Sequence, residues 1–170
     1  MKKSRFTIGT IAALTVLVAT SAALAHGVVG IKGTMNADTL TGTPGADRIH
    51  ARGGDDVVDA GAGNDRVRGG KGNDTISGGD GNDVLRGNQD NDTIDGGAGD
   101  DRIWAGRGTD VVRGGDGDDA IRVLARDSQT DQVDCGAGKD TVWLNAAEND
   151  THSNCEIVKT VTVTGDSDDS

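Results

Sequence analysis

The sequence predicts an all-β fold, a parallel solenoid of very short strands, from three observations. Between Gly33 and Arg122 the chain repeats every nine residues ten times without slipping, with Asp at each sixth place and an aliphatic residue at each eighth. Gly fills the fourth place in eight of the ten units, and Gly or Ala fills the first place in all ten. The composition agrees: 170 residues hold one Phe, two Trp and no Tyr, and 26 of the 28 acidic residues are Asp rather than helix-favouring Glu. A thick two-layer core and long helices are not expected.

Five zones follow in order. Met1 to Ala25 has a positive start at Lys2, Lys3 and Arg5, a mostly apolar run from Ile8 to Ala19, and Ala23-Leu24-Ala25 as a small-x-small cleavage site. This pattern is that of a Sec-type signal peptide; the apolar run is short for a membrane anchor. Residues 26–32 are a lead-in, and residues 33–122 are the repeats. Residues 123–164 form a C-terminal cap, and residues 165–170 an acidic tail with the composition of disorder.

Within the repeats the consensus is Gly-Gly-x-Gly-x-Asp-x-(Ile/Leu/Val)-x, cleanest at Gly69 to Ser77 and Gly78 to Arg86. Such a unit splits into a Gly-rich turn of six residues and an extended step of three. Alternation puts the eighth residue inside and its mostly polar neighbours outside. Two units make one coil, and stacked coils place parallel strands about 4.8 Å apart. The aliphatic set is then one thin core: Leu40, Ile49, Val58, Val67, Ile76, Leu85, Ile94, Ile103, Val112 and Ile121.

Solenoid ends need capping, because an open coil exposes unpaired strand edges. At the start, Asn36 replaces the fourth Gly and Pro44 stiffens the second unit. At the other end Asp131-Gln132-Val133-Asp134 restores the strand pattern three residues late, and the segment Cys135 to Trp143 completes one further unit. Cys135 and Cys155 are the only cysteines. In an exported, oxidised protein they read as one disulfide; two free thiols or a metal pair are the alternatives.

Stacking also aligns the Asp side chains in two columns. Carboxylates about 5 Å apart at an effective dielectric near 20 repel by roughly 3 kcal/mol per pair. A hard divalent cation relieves this, and calcium fits best, taking six to eight oxygens at loosely constrained angles from carboxylates and loop carbonyls. Magnesium prefers stricter octahedra, and zinc wants His or Cys, which the repeats lack apart from His50. Gly can adopt the positive φ angles that turn successive carbonyls inward.

These residues resemble the calcium-binding RTX, or haemolysin-type, nonapeptide repeats. The resemblance covers about 90 residues and implies a right-handed parallel β-roll with several calcium ions between turns of adjacent coils. It implies carboxylate ligands at Asp56, Asp65, Asp74, Asp83, Asp92, Asp101, Asp110 and Asp119, with Asp38 and Asp47 less secure. It implies carbonyl ligands from the loops at Gly54, Gly63, Gly72, Gly81, Gly99, Gly108 and Gly117. The seventh unit departs from the pattern at Asn88, Gln89 and Asp90, which suggests a weak or distorted site, and Asp140 is on motif but out of register. The N-terminal leader also sets the chain apart from large family members that leave by an uncleaved C-terminal signal, and the two-cysteine ending is similar to that of small secreted, stand-alone members.

Other functions find less support. Without the three leader cations, fourteen Lys and Arg face twenty-eight acids, a formal net charge of −14. That balance argues against nucleic acid, which asks for clustered basic surface, and points to cations as partners. An EF-hand needs a Glu at the twelfth loop position, and only Glu148 and Glu156 exist. Mere turn propensity does not explain why the sixth place never becomes Asn while the fifth varies among Ala, Asp, Asn and Thr. No nucleophile with a nearby base is legible, so an enzyme is not expected. The expected protein is secreted, with no stable membrane insertion after leader cleavage. It folds on binding calcium, at about 10⁻⁴ to 10⁻³ M. The alternative is an adhesion module for polysaccharide or a surface protein, in which calcium is only structural and Trp104, Arg113, Arg122 and Trp143 form the contact face.

Overall fold

The computed structural model describes residues 15–18 and 28–163. The rest of the proposed leader and the acidic tail lie outside the described residues. In chain order the strands are β1 (Thr15–Val18), β2 (Val29–Lys32), β3 (Asp38–Thr41), β4 (Asp47–Gly53), β5 (Val57–Asp59), β6 (Arg66–Lys71), β7 (Thr75–Asp80) and β8 (Val84–Gln89). They continue as β9 (Thr93–Ala98), β10 (Arg102–Arg107), β11 (Val111–Asp116), β12 (Ala120–Val123), β13 (Gln132–Ala137), β14 (Thr141–Asn145), β15 (Thr151–Ser153) and β16 (Ile157–Val161). Among the described residues there is no helix.

Odd-numbered strands form one eight-stranded sheet and even-numbered strands the other, all paired in parallel. Consecutive strands therefore lie in opposite sheets, and hydrogen bonding joins residues eighteen apart, as in Ile76 opposite Ile94 and Leu85 opposite Ile103. Two nonapeptides make one coil of a parallel β-solenoid of about seven turns. All ten eighth-place aliphatics are at most 1 % exposed, in one stack between the sheets, continued by Ile31, Val133, Val142 and Leu144. Burying each contributes about 1.5 to 3 kcal/mol.

Pairing runs further than the expected three-residue step. From β6 onward most strands span six residues and include the first three places of the next unit. The ladder skips the first place and resumes at the second and third, as Gly79 opposite Gly97 and Asp80 opposite Ala98 show. Just past that skip, at the second place, the chain corners through positive φ, 103° at Gly79 and 132° at Gly70. Extended pairing thus reaches into what the sequence shows only as a Gly-rich turn.

The late register is absorbed in one place. β11 and β12 pair with β13 and β14 at an offset of twenty-one residues, Val111 opposite Gln132 and Ala120 opposite Thr141. The three extra residues sit in the segment 124–131, and the sheets run on through β15 and β16. Cys135 and Cys155 are disulfide-bonded with Cα atoms 5.1 Å apart, which ties β13 to the chain just after β15. Cys135 is buried at a first place, where the other units carry Gly or Ala. At the opposite end the backbone of residues 15–18, within the proposed leader, pairs with β3 and covers its edge.

Candidate metal centre

Each sixth-place Asp lies at or just before the start of its strand, on the inward side, and all ten are at most 2 % exposed. One column is Asp38, Asp56, Asp74, Asp92 and Asp110; the other is Asp47, Asp65, Asp83, Asp101 and Asp119. Within a column each Oδ1 accepts the backbone N–H of the Asp one coil earlier, at 2.8 Å from Asp65 to Asp83 and 2.9 Å from Asp74 to Asp92. The slipped units continue both columns: Asp110 donates to Asp131 and Asp119 to Asp140, each at 2.8 Å. The columns end where Asp131 donates to Asp150 and Asp140 to Glu156. Asp140 is therefore in spatial register although out of register in sequence, and Asp131 is a column member that sequence reasoning noticed only as part of a strand.

The second oxygen is different. Oδ2 of Asp56, Asp65, Asp74, Asp83, Asp92, Asp101, Asp110 and Asp119, and also of Asp140, is buried without a hydrogen-bond partner. In Asp74, Asp83, Asp92, Asp101 and Asp119 this oxygen folds back over the first residue of its own unit, where a Cβ on Gly69, Gly78, Gly87, Gly96 or Gly114 would collide with it. That steric demand, rather than a positive φ, is what asks for a small first residue. Leaving one buried carboxylate oxygen unpaired costs about 1 to 3 kcal/mol or more, and native interiors tolerate few such groups. Repeated down two columns, these oxygens form a donor set whose chemistry fits a hard cation.

The first two units differ. Thr34 N–H donates to Asp38 Oδ2 at 2.5 Å. Asp47 accepts from Thr43 N–H at 2.5 Å and from the Thr43 hydroxyl at 3.2 Å, so both its oxygens have partners. Both carboxylates are engaged by their own loops, and Asp38 Oδ1 is still buried without a partner.

From Asp56 to Asp131, burial pushes the column carboxyls above the usual range, against the lowering effect of the backbone N–H each one accepts, and at all of these but Asp83 a neighbouring carboxylate adds to the rise. Asp65, Asp74 and Asp101 are raised to about 7, Asp131 to about 8 and Asp92 to about 9. Asp83, Asp110 and Asp119 rise to about 6. Asp90, the seventh unit's replacement for Gly, adds to the repulsion at both Asp74 and Asp92.

That seventh unit keeps the shape of its neighbours. Asn88 and Asp90 adopt φ of 87° and 74°, the left-handed conformation that Gly supplies elsewhere, including 125° at Gly81 and 122° at Gly99. The fourth-place glycines stack closely coil on coil; a Cβ on Gly72 would meet Gly54 O, and one on Gly99 would meet Gly81 O.

The fifth place, which looks unconstrained in sequence, forms a second ladder running the other way. Asn64 Oδ1 accepts from Asn82 N–H at 3.0 Å, Asn82 Oδ1 from Asp100 N–H at 3.1 Å and Asp100 Oδ1 from Asp118 N–H at 2.9 Å. The other edge repeats it, Asp55 accepting from Asn73 and Asn73 from Asn91. In the middle of the roll each nonapeptide thus donates one N–H forward to a sixth-place Asp and one backward to a fifth-place Asx. The recurring Asn and Asp of the fifth place was the available signal.

Among the described residues no three His, Cys, Asp or Glu side chains converge to cage a metal. A cation between turns would take carboxylate oxygens singly or in pairs and fill its shell from backbone carbonyls. That donor set suits calcium and not zinc.

A parallel β-solenoid with buried, half-satisfied carboxylate columns between Gly-rich turns defines a class of repeat protein built around hard cations. The model of the RTX calcium-binding nonapeptide repeat matches residues 33–67, 59–94 and 86–121, more than half of the chain. The chain belongs to that family, and its repeats imply calcium binding. No individually curated protein matches it.

Proposed function

We propose that this is a secreted, non-enzymatic protein whose repeat domain folds when several calcium ions bind between stacked turns. The observation that carries the reading is the set of buried Oδ2 atoms without partners from Asp56 to Asp119, in two columns. Their charge opposes closure of the coils, and a divalent cation turns that repulsion into attraction. The role proposed for each column Asp is to hold the next coil's register through Oδ1 and a cation through Oδ2. The Gly54, Gly63, Gly72, Gly81, Gly99, Gly108 and Gly117 loops supply carbonyls. The regular spacing of the carboxylates supports ion sites rather than catalysis. Export is supported by the leader-like N-terminus and by the disulfide, typical together with such repeats of extracellular proteins.

Circular dichroism of the leader-free protein through a calcium titration tests this, with magnesium in parallel. A coil-to-β transition with calcium at about 10⁻⁴ to 10⁻³ M is expected, steep because neighbouring coils share sites. A full β spectrum in excess chelator would end the proposal. The second reading, an adhesion module in which calcium is structural, is favoured by the outward residues of the even-numbered strands.

A further inference from the structure

The eighteen-residue coil sorts the outward residues by sheet. On the even-numbered strands the ninth-place column runs, one rung at a time, through Lys32, His50, Arg68, Arg86, Trp104, Arg122, Trp143 and Lys159. Beside it, the seventh-place column adds Arg48, Arg66 and Arg102. No Asp or Glu points outward from these strands in either column. The opposite sheet presents Thr41, Asp59, Ser77, Asp95, Arg113 and Asp134 in the same column. Arg113, grouped with the two Trp in the sequence reading, therefore lies on the other side of the solenoid. A chain of formal net charge −11 has concentrated its cations on one sheet face.

That face is held in shape without acidic partners. The Arg86 guanidinium stacks at 4.8 Å from the Trp104 ring centre, and Arg122 lies between Trp104 and Trp143 at 5.2 Å and 4.6 Å. Lys159 covers the far side of Trp143 at 4.7 Å. Cation and ring alternate, so the rings separate like charges and fix their positions. At the other end of the face, His50 has its pKa lowered by burial and then by Arg68, Lys32, Arg48 and Arg52, a sign of uncompensated positive potential.

We propose that this face binds a linear acidic polysaccharide, one bearing carboxylate or sulfate groups along an extended chain laid parallel to the solenoid axis. Rungs about 4.8 Å apart offer a cation at every one or two steps along a straight line, and Arg forks recognise carboxylate and sulfate bidentately. Nucleic acid fits less well. The Trp faces are taken by guanidinium and ammonium groups, leaving no stacking platform for bases, and a flat sheet does not enter a groove. The inference rests on calcium folding the roll, since the face exists only when the coils are stacked.

The test uses the full chain in excess calcium, its β spectrum recorded alongside binding. Heparin and hyaluronate are the probes; neutral dextran, a single-stranded oligonucleotide and phosphatidylglycerol vesicles are the comparisons. Heparin and hyaluronate are expected to bind and dextran not to, with affinity falling steeply as salt rises. The R68S/R86S/R122S variant should bind on the order of tenfold more weakly or worse, while R113S on the opposite face binds as the parent does. If the triple variant loses its β spectrum, R68S and R86S alone serve, together with the salt dependence of the parent. A folded parent that ignores both polymers, equal binding to oligonucleotide or vesicles, salt-insensitive binding, equal effects of R113S and R68S, or a second copy occupying the face in sedimentation would each overturn the proposal. A protein that stays unfolded in calcium would instead defeat the calcium reading itself.

Discussion

Replacing Asp83 by Asn separates the two jobs assigned to a column carboxylate. Oδ1 accepts from Asp65 N–H at 2.8 Å, and an amide oxygen can take over that bond. Oδ2 is buried without a partner, so the ligand charge is what the substitution removes. Losing one charged ligand costs on the order of 1.5 to 3 kcal/mol, or about ten- to hundredfold at the affected site. Without metal the sign reverses. Burial raises the Asp83 carboxyl to about 6, so near neutral pH its charge weighs against the folded state. D83N should therefore need severalfold more calcium to fold and yet show more residual structure in chelator. Asp80 is an exposed third-place residue whose main chain bonds Gly61 and Gly63, and D80N should move the calcium midpoint by less than about twofold. Calcium titrations of the parent and both variants, followed by circular dichroism, check this. Equal shifts for D83N and D80N would refute the ligand assignment.

Three further expectations follow from the same geometry. The column carboxyls have folded-state pKa values raised above their unfolded ones, to between about 6 and about 9 from Asp65 to Asp119. Their favourable contribution is thus complete below about pH 4 and lost as pH rises through that window; metal-free protein should gain β signal on acidification from pH 9 to 5, while the calcium midpoint rises from pH 8 to 6 as protons compete. Reducing Cys135–Cys155, whose separation is 20 residues, should cost about 3 kcal/mol, and hydrogen exchange should then show β13 to β16 opening before β6 to β11. Gly79 has φ of 103° and a Cβ there would run into Gly61 O, whereas Gly30 has nothing within 4 Å; G79A should destabilise the calcium-bound roll by more than about 2 kcal/mol and G30A by well under 1 kcal/mol, as read by thermal melting.

The core and the carboxylate columns were legible because they depend on local periodicity. An aliphatic residue two places after Asp shares its face in any extended chain, whatever the neighbouring coils do. Thr34 and Thr43, whose main chain donates to Asp38 and Asp47, stand where later units mostly have Gly, a local difference that was also there to read. The fifth-place ladder was overlooked because Ala37, Ala46 and Thr109 dilute it. The continuity of Asp131 and Asp140 with the columns depended on where three extra residues would be stored, which only the 124–131 segment settles.

By itself, then, the sequence determined the period, the thin apolar stack and the presence of carboxylate columns, since each is a property of one nonapeptide copied many times. Only the tertiary structure decided which copies are neighbours. Because pairing joins residues eighteen apart rather than nine, alternate units share a sheet, and a set of cations that looks scattered through an acidic chain becomes one continuous basic face.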